Sequence, residues 1–265
     1  MLIGKAGSAI TSISTADAGS VTVRGKDLCS DLMGRLTFTE FFFLLVSGRE
    51  PDDNQRFFLD LLLIAIAEHG LVPANQAARM TLAADPGSLQ GAVAAGILGC
   101  GTVVLGTSEL CGRFLTEARE TLDRTGGPAA EIVRQMVEKI RAEDGKVPGF
   151  GHPLHKSSDP RTGRILALAD EKGVAGVNIE LAHQTAAAVE EVWGKPLVMN
   201  VSMAIAAVLL DLDFPSAMIK AVPILARCGG LLAHLAEEQE KPIGFLMAHH
   251  GQEAIAYEEI ETKDA

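Results

Sequence analysis

From Asp27 onward the chain is built of apolar runs punctuated by glycine and proline. Thr37 and Glu40, three residues apart, have the spacing of a capping box, in which hydroxyl and carboxylate each take a free N–H at a helix start. Residues 41–46 then run apolar without a break, and Ser47-Gly48 and Pro51 close the segment, which predicts a buried helix. Residues 53–68 predict a second helix, most apolar toward its C-terminal end and stopped at His69-Gly70. Helices are predicted in the same way at 75–84, 88–100, 109–124, 162–172, 178–193 and 197–212. Residues 129–141 alternate acidic and basic side chains as a solvated helix face does. Pro215 begins a further helical pattern, with Gly229-Gly230 inside or between segments and 231–239 following. Residues 10–25 read as irregular or short extended pieces, with turns at Asp17-Ala18-Gly19 and Arg24-Gly25. Residues 147–161 hold Pro148, Gly149, Gly151, Pro153 and Pro160 and are the least helical part of the middle. No βαβ succession appears, so the fold class expected is all-α.

Charge and composition narrow the function. Lys plus Arg is 23 against 34 for Asp plus Glu, a net charge of -11; a nucleic-acid binder needs clustered cations to neutralise phosphates. One Trp and one Tyr make no base-stacking platform. An apolar share of 48% with 22% charged residues is globular rather than disordered. The longest uncharged stretch, 86–108, carries six glycines with Ser, Gln and Thr. A membrane span needs about 20 predominantly apolar residues, so this stretch reads as a core helix whose small residues let another helix come close. The N-terminal residues 1–12 have one lysine and no long apolar core, unlike a secretory signal. Cys29, Cys100, Cys111 and Cys228 form no CxxC pair, which leaves zinc and thioredoxin-like readings unsupported and fits a reducing, cytoplasmic compartment.

Seven histidines are present, and none has HExxH or matched ligand spacing, so no metal is expected. His249-His250 reads as a frayed helix end and His183 as solvent-facing. His69 ends an apolar helix, whereas His152 sits in Gly149-Phe150-Gly151-His152-Pro153, a loop whose glycines permit close ligand approach. Taken alone, each of these two histidines reads more readily as a structural capper than as a catalyst. Arg227 has no charged residue within six positions on either side. Such an arginine needs an anion, either an internal carboxylate or that of a substrate, which a guanidinium fork matches.

Taken together these segments resemble the citrate synthase superfamily, and within it the citryl-CoA lyase branch. The resemblance runs through Thr11-Ser12-Ile13-Ser14, Val23-Arg24-Gly25-Lys26-Asp27-Leu28, the segment 38–51 and Ala67-Glu68-His69-Gly70. Its most specific part is 147–161, VPGFGHPLHKSSDPR, with nine residues from His152 to Arg161. The stretch 226–234, ARCGGLLAH, completes it. The resemblance implies a large helical domain (1–112 and 203–265), a smaller inserted one (113–202), a cleft between them and a homodimer. It implies His69 and His152 at the substrate's oxygen and carboxylates, and Arg161 and Arg227 clamping carboxylates. Ser202 falls at a substrate-facing position, and Gly149, Phe150 and Gly151 fall near coenzyme A, a polyanion whose charge Lys156, one of the cations flanking the loop, is expected to meet. The expected ligands are a carboxylic acid and a CoA thioester, with no nucleic acid and no membrane.

Two positions depart from the family pattern. Residues 101–106 lack the histidine that holds the thioester in synthases, as does the citryl-CoA lyase part of ATP-citrate lyase. Asn200-Val201 is followed by Ser202 where the family carries its catalytic Asp, and a serine is a poor general base. Three readings stand: a CoA-thioester carbon–carbon lyase using another acid/base such as His155 or a water; an enzyme of this fold with a different 2-oxo or 2-hydroxy acid; and a non-catalytic ligand-binding or interaction protein.

Overall fold

The computed structural model describes residues 9–152 and 155–259. Helix dominates, as the apolar runs imply. Compactness divides the chain into two units, Met1–Leu62 with Ser108–Ile219, and Leu63–Thr107 with Lys220–Ala265.

The first unit opens with a small antiparallel sheet, β1 (Ser14–Ala16), β2 (Val21–Val23) and β3 (Lys26–Asp27). Asp17 closes the first turn by accepting from the N–H groups of Gly19 and Ser20, both at 2.8 Å. Arg24 and Gly25, with φ of 48° and 79°, make the second. The sheet packs Val23 and Leu32 against Leu44 of α1 (Phe38–Ser47). Thr37 and Glu40 form the capping box that their spacing foretells. The core helix of this unit is α9 (Val201–Asp211), buried from Val201 to Leu209. Helices α7 (Pro160–Glu171) and α8 (Val177–Trp193) pack on it. Asp211, at its end, accepts from Gly176 N, Asn178 N and Ile179 N at 2.9 Å each and from Asn178 Nδ2 at 2.8 Å. One carboxylate thus caps the start of α8 and fixes its register on α9.

The second unit is built from α3 (Pro73–Ala84), α4 (Leu89–Leu98), α10 (Ala221–Glu240) and α11 (Gly244–Ala254). Its core joins Ala78 and Leu82, Ala92, and Leu231 and Leu235. The small residues of α4 do let a helix approach: a Cβ at Gly96 would lie 2.7 Å from Leu231 Cδ2. Gly229-Gly230 lies inside α10, not between helices, and a Cβ at Gly230 would stand 2.1 Å from Ala67 O. Arg79 and Glu238, each side chain 2% exposed, pair at 2.6 Å and hold α3 to α10. Glu238 also accepts from Ile243 N and Gly244 N, which starts α11. Residues 249 and 250 belong to that helix and pair with Glu253. Residues 216–240 form the one helix, among the described residues, long and apolar enough by length and composition to cross a membrane; Leu231 and Leu235 on it are core residues.

Asp211→Ala removes four accepted hydrogen bonds and is expected to lower stability by about 2 kcal/mol. Urea denaturation checks this, with Asp211→Asn losing less.

Candidate active site

In the first unit the glycine loop, the start of α7 and the start of α9 are tied by two side chains. Gly149 is buried with φ of 79°, and a Cβ there would lie 2.7 Å from Met203 Cβ and 2.8 Å from Cys111 Sγ. Only glycine lets the loop lie this close to α9. The loop then hydrogen-bonds to the segment before α9: Gly151 N donates to Val198 O at 2.7 Å, and Asn200 N to Gly149 O at 2.8 Å. Asn200 is the N-cap of α9; its Oδ1 accepts from Ser202 N at 3.0 Å. Its Nδ2 donates to Gly151 O at 3.1 Å. Ser202 is therefore buried in the first turn of α9, directly coupled to the loop.

Asp159 is the second tie. It is the N-cap of α7, followed by Pro160 at the first helical position, the arrangement that leaves no N–H wasted. Its Oδ1 accepts from Arg161 N at 3.1 Å and Arg161 Nε at 3.0 Å. Its Oδ2 accepts from Arg161 Nη2 at 2.9 Å and from Val201 N at 3.1 Å. Burial of this carboxyl would push its pKa up, but Arg161 and the two backbone N–H groups outweigh it and hold the group below its ordinary 3.8. The fork onto Asp159 uses Nε and one hydrogen of Nη2, and a guanidinium carries further hydrogens on Nη1 and Nη2. His152 Nδ1 accepts from His155 N at 3.0 Å, so the ring carries its proton on Nε2. The two imidazoles lie 4.3 Å apart, centroid to centroid. Phe150 pairs with Met199 through an isolated bridge, and Lys156 is exposed. Residues 153 and 154 lie outside the described residues.

In the second unit His69 follows the end of α2 (Asp53–Ala67). Glu68 Oε1 accepts from His69 N at 2.8 Å and Gly70 N at 2.7 Å. Arg227 lies on α10 one turn before Gly230, the residue pressed against Ala67 O. It is 3% exposed, and its Nε and Nη1 are buried without a hydrogen-bond partner among the described residues. Among the described residues, no internal carboxylate meets Nε or Nη1. Burial raises the pKa of the Cys100 thiol, and the positive charge of Arg227 partly opposes this.

Residues 20–244 match the family described as "Citrate synthase, C-terminal domain". The chain belongs to the citrate synthase family. It is 30% identical over 210 residues to a citrate synthase of Synechocystis sp., covering 77% of this chain and 50% of that protein. It is 27% identical over 201 residues to a citrate synthase of Haloferax volcanii, covering 75% and 51%. The chain thus spans about half the length of these curated relatives. Among solved structures it is similar to the citryl-CoA lyase from Hydrogenobacter thermophilus, with a TM-score of 0.84 and 28% identity over 97% of each chain. The fold is also that of ATP citrate lyase from Methanothrix soehngenii, solved with citrate and coenzyme A, with a TM-score of 0.79, 22% identity and coverage of 98% and 43%.

The motifs that carry the resemblance include Asp159 and Asn200 beside Arg161, Ser202 and the glycine loop, but not the hydrogen bonds by which these two residues join them. The dipeptide Asp159-Pro160 carries a helix-cap signal. Glu68 falls within the stretch 67–70 that carries the resemblance, but an acidic residue at a helix end reads as solvated.

The depressed pKa of Asp159 gives a pH dependence of known sign. Its contribution to stability is complete above the unfolded-state value near 3.8 and is lost as pH falls through the lower folded value. Asp159→Asn is expected to cost about 3 kcal/mol at pH 7 and to flatten the acid limb below pH about 4. Equilibrium unfolding across pH 2–7 checks both, and an unchanged acid limb would refute the assignment.

Proposed function

We propose that the protein is a carbon–carbon lyase acting on a CoA thioester, cleaving a citryl-CoA-like 2-hydroxyacyl-CoA to a 2-oxo acid and an acyl-CoA. The observation that carries the acid-binding part is Arg227, a buried guanidinium with Nε and Nη1 unpartnered among the described residues. A charge in that setting is destabilising unless an anion meets it. A substrate carboxylate supplies that anion in the bidentate geometry a guanidinium favours. The choice of lyase over synthase leans on the likeness to citryl-CoA lyase, with a TM-score of 0.84.

In this reading Arg227 and Arg161 hold carboxylates. His69 or His152 takes the proton of the substrate hydroxyl. The bond from the carbinol carbon to the α-carbon then breaks, its electron pair passing to the thioester as an enolate. Protonation of the α-carbon releases acyl-CoA, and the carbinol carbon becomes the ketone of the 2-oxo acid. The glycine loop and Lys156 lie along coenzyme A. Ser202 cannot protonate the enolate at neutral pH, and Asp159, held ionised by Arg161, cannot replace it. His155, beside His152, is the acid we assign. No metal enters these steps. A homodimer is the assembly we expect, and light scattering checks it.

A second reading, an acid-binding protein without turnover, is favoured by Ser202 itself. Mass-spectrometric assay of citryl-CoA cleavage, run in both directions, separates the two. The lyase reading expects acetyl-CoA and oxaloacetate from the wild type. It expects a drop of about 10²–10⁴-fold in His155→Ala and weaker oxaloacetate binding, by about 2–5 kcal/mol, in Arg227→Ala. Oxaloacetate bound without any cleavage would select the second reading.

A further inference from the structure

We propose that Glu68 and His234 form a positioning pair that fixes His69, with His234 holding its proton on Nε2. This rests on the reading of His69 as a group that meets the substrate.

Glu68 folds its side chain back over the end of α2. Its Oε1 accepts from His69 N at 2.8 Å, Gly70 N at 2.7 Å and Asn75 Nδ2 at 3.1 Å. The peptide groups on both sides of the His69 Cα are thereby pinned, and with them the direction in which its ring leaves the backbone. The other oxygen, Oε2, faces His234 Nε2 at 3.0 Å. The opposite ring nitrogen, Nδ1, lies 3.3 Å from Arg79 Nη1. An arginine only donates, so Nδ1 accepts and Nε2 carries the proton toward Glu68; Asn75 Nδ2, 2.9 Å from Nε2, directs its two hydrogens to Gly70 O at 2.6 Å and Glu68 Oε1 at 3.1 Å. Arg79 cannot drift, because its ion pair with Glu238 is buried on both sides. A continuous line of hydrogen bonds therefore runs from that ion pair to the backbone of His69.

The geometry also distinguishes positioning from bulk stabilisation. The Glu68 side chain is 46% exposed, so little hydrophobic burial depends on it. A glutamine at 68 still offers one oxygen to His69 N. Its amide NH2 toward His234 Nε2 would demand the other tautomer, which Arg79 opposes. Glu68→Gln and His234→Gln thus disturb the line while leaving the packing of α3 and α10 in place.

The test combines amide hydrogen exchange, histidine-ring ¹⁵N spectra and citryl-CoA kinetics on the full chain. The wild type is expected to show His234 protonated on Nε2 and slow exchange at the His69 and Gly70 amides. Both variants are expected to speed that exchange by about tenfold or more, the effect of losing a charge-assisted hydrogen bond. They are expected to lower kcat on the order of 10²-fold with KM nearly unchanged, as misplacement of a reacting group does. Glu68→Asp, which keeps the charge, recovers part of the loss. A proton on Nδ1, unchanged exchange at 69 and 70 in both variants, or kcat equal to wild type would overturn the proposal. If the wild type cleaves no citryl-CoA, the lyase reading fails, while the exchange and ring spectra still decide the pair.

Discussion

A buried guanidinium has to be met by an anion, and this chain handles three of its arginines in two different ways. Arg79 is closed on Glu237 and Glu238, and Arg161 is forked onto Asp159. Arg79 is complete without any ligand, whereas Arg161, 21% exposed, has hydrogens beyond those its fork onto Asp159 uses. Arg227 is 3% exposed and leaves Nε and Nη1 without partners among the described residues. Removing a carboxylate from a buried pair typically costs about 3–5 kcal/mol. A fold that keeps one guanidinium in that condition carries the cost permanently in its unliganded state. The closed pairs and the dense core of the second unit, with Leu231 and Leu235 flanked by Ala78 and Leu82, are what make this tolerable.

The first unit solves a different problem, the placing of an irregular glycine loop. A loop with few contacts of its own is mobile unless its backbone groups find partners. Here Gly149 O and Gly151 O and N all bond to 198–200, and Asn200 carries two of the three links. Because Asn200 also caps α9 and Asp159 bonds to Val201 N, the loop, Arg161 and Ser202 share one rigid reference, the buried helix. Asp211 anchors the far end of that helix to α8. Ser202, at the position where the resemblance leads one to expect an aspartate, therefore sits in an intact scaffold.

The helices were legible because their signals are local: the box at Thr37 and Glu40, the proline after Asp159, the glycine-rich run of α4. Their close approach at Gly96 was legible too, since a small residue in an apolar helix has few other uses. Gly229-Gly230 was ambiguous because glycine reads as a breaker unless a partner backbone is known, here Ala67 O. Arg79 and Glu238 gave no signal, because a charge in a helix reads as surface until the opposing helix is placed. Within the candidate site, Arg227 was marked by its uncharged neighbourhood, and the tie between Arg161 and Asp159 was not, since it depends on how the chain turns between them.

The central claim is that the anion for Arg227 comes from outside the chain. Thermal unfolding of the wild type and Arg227→Met, with and without oxaloacetate, tests it most directly. If the charge is kept for a ligand, replacing it with an apolar side chain of similar length leaves the unliganded protein as stable or more stable. Oxaloacetate then raises the Tm of the wild type by mass action and leaves the variant unmoved. An Arg227→Met protein that is several degrees less stable without ligand, and that still responds to oxaloacetate as the wild type does, would contradict the account.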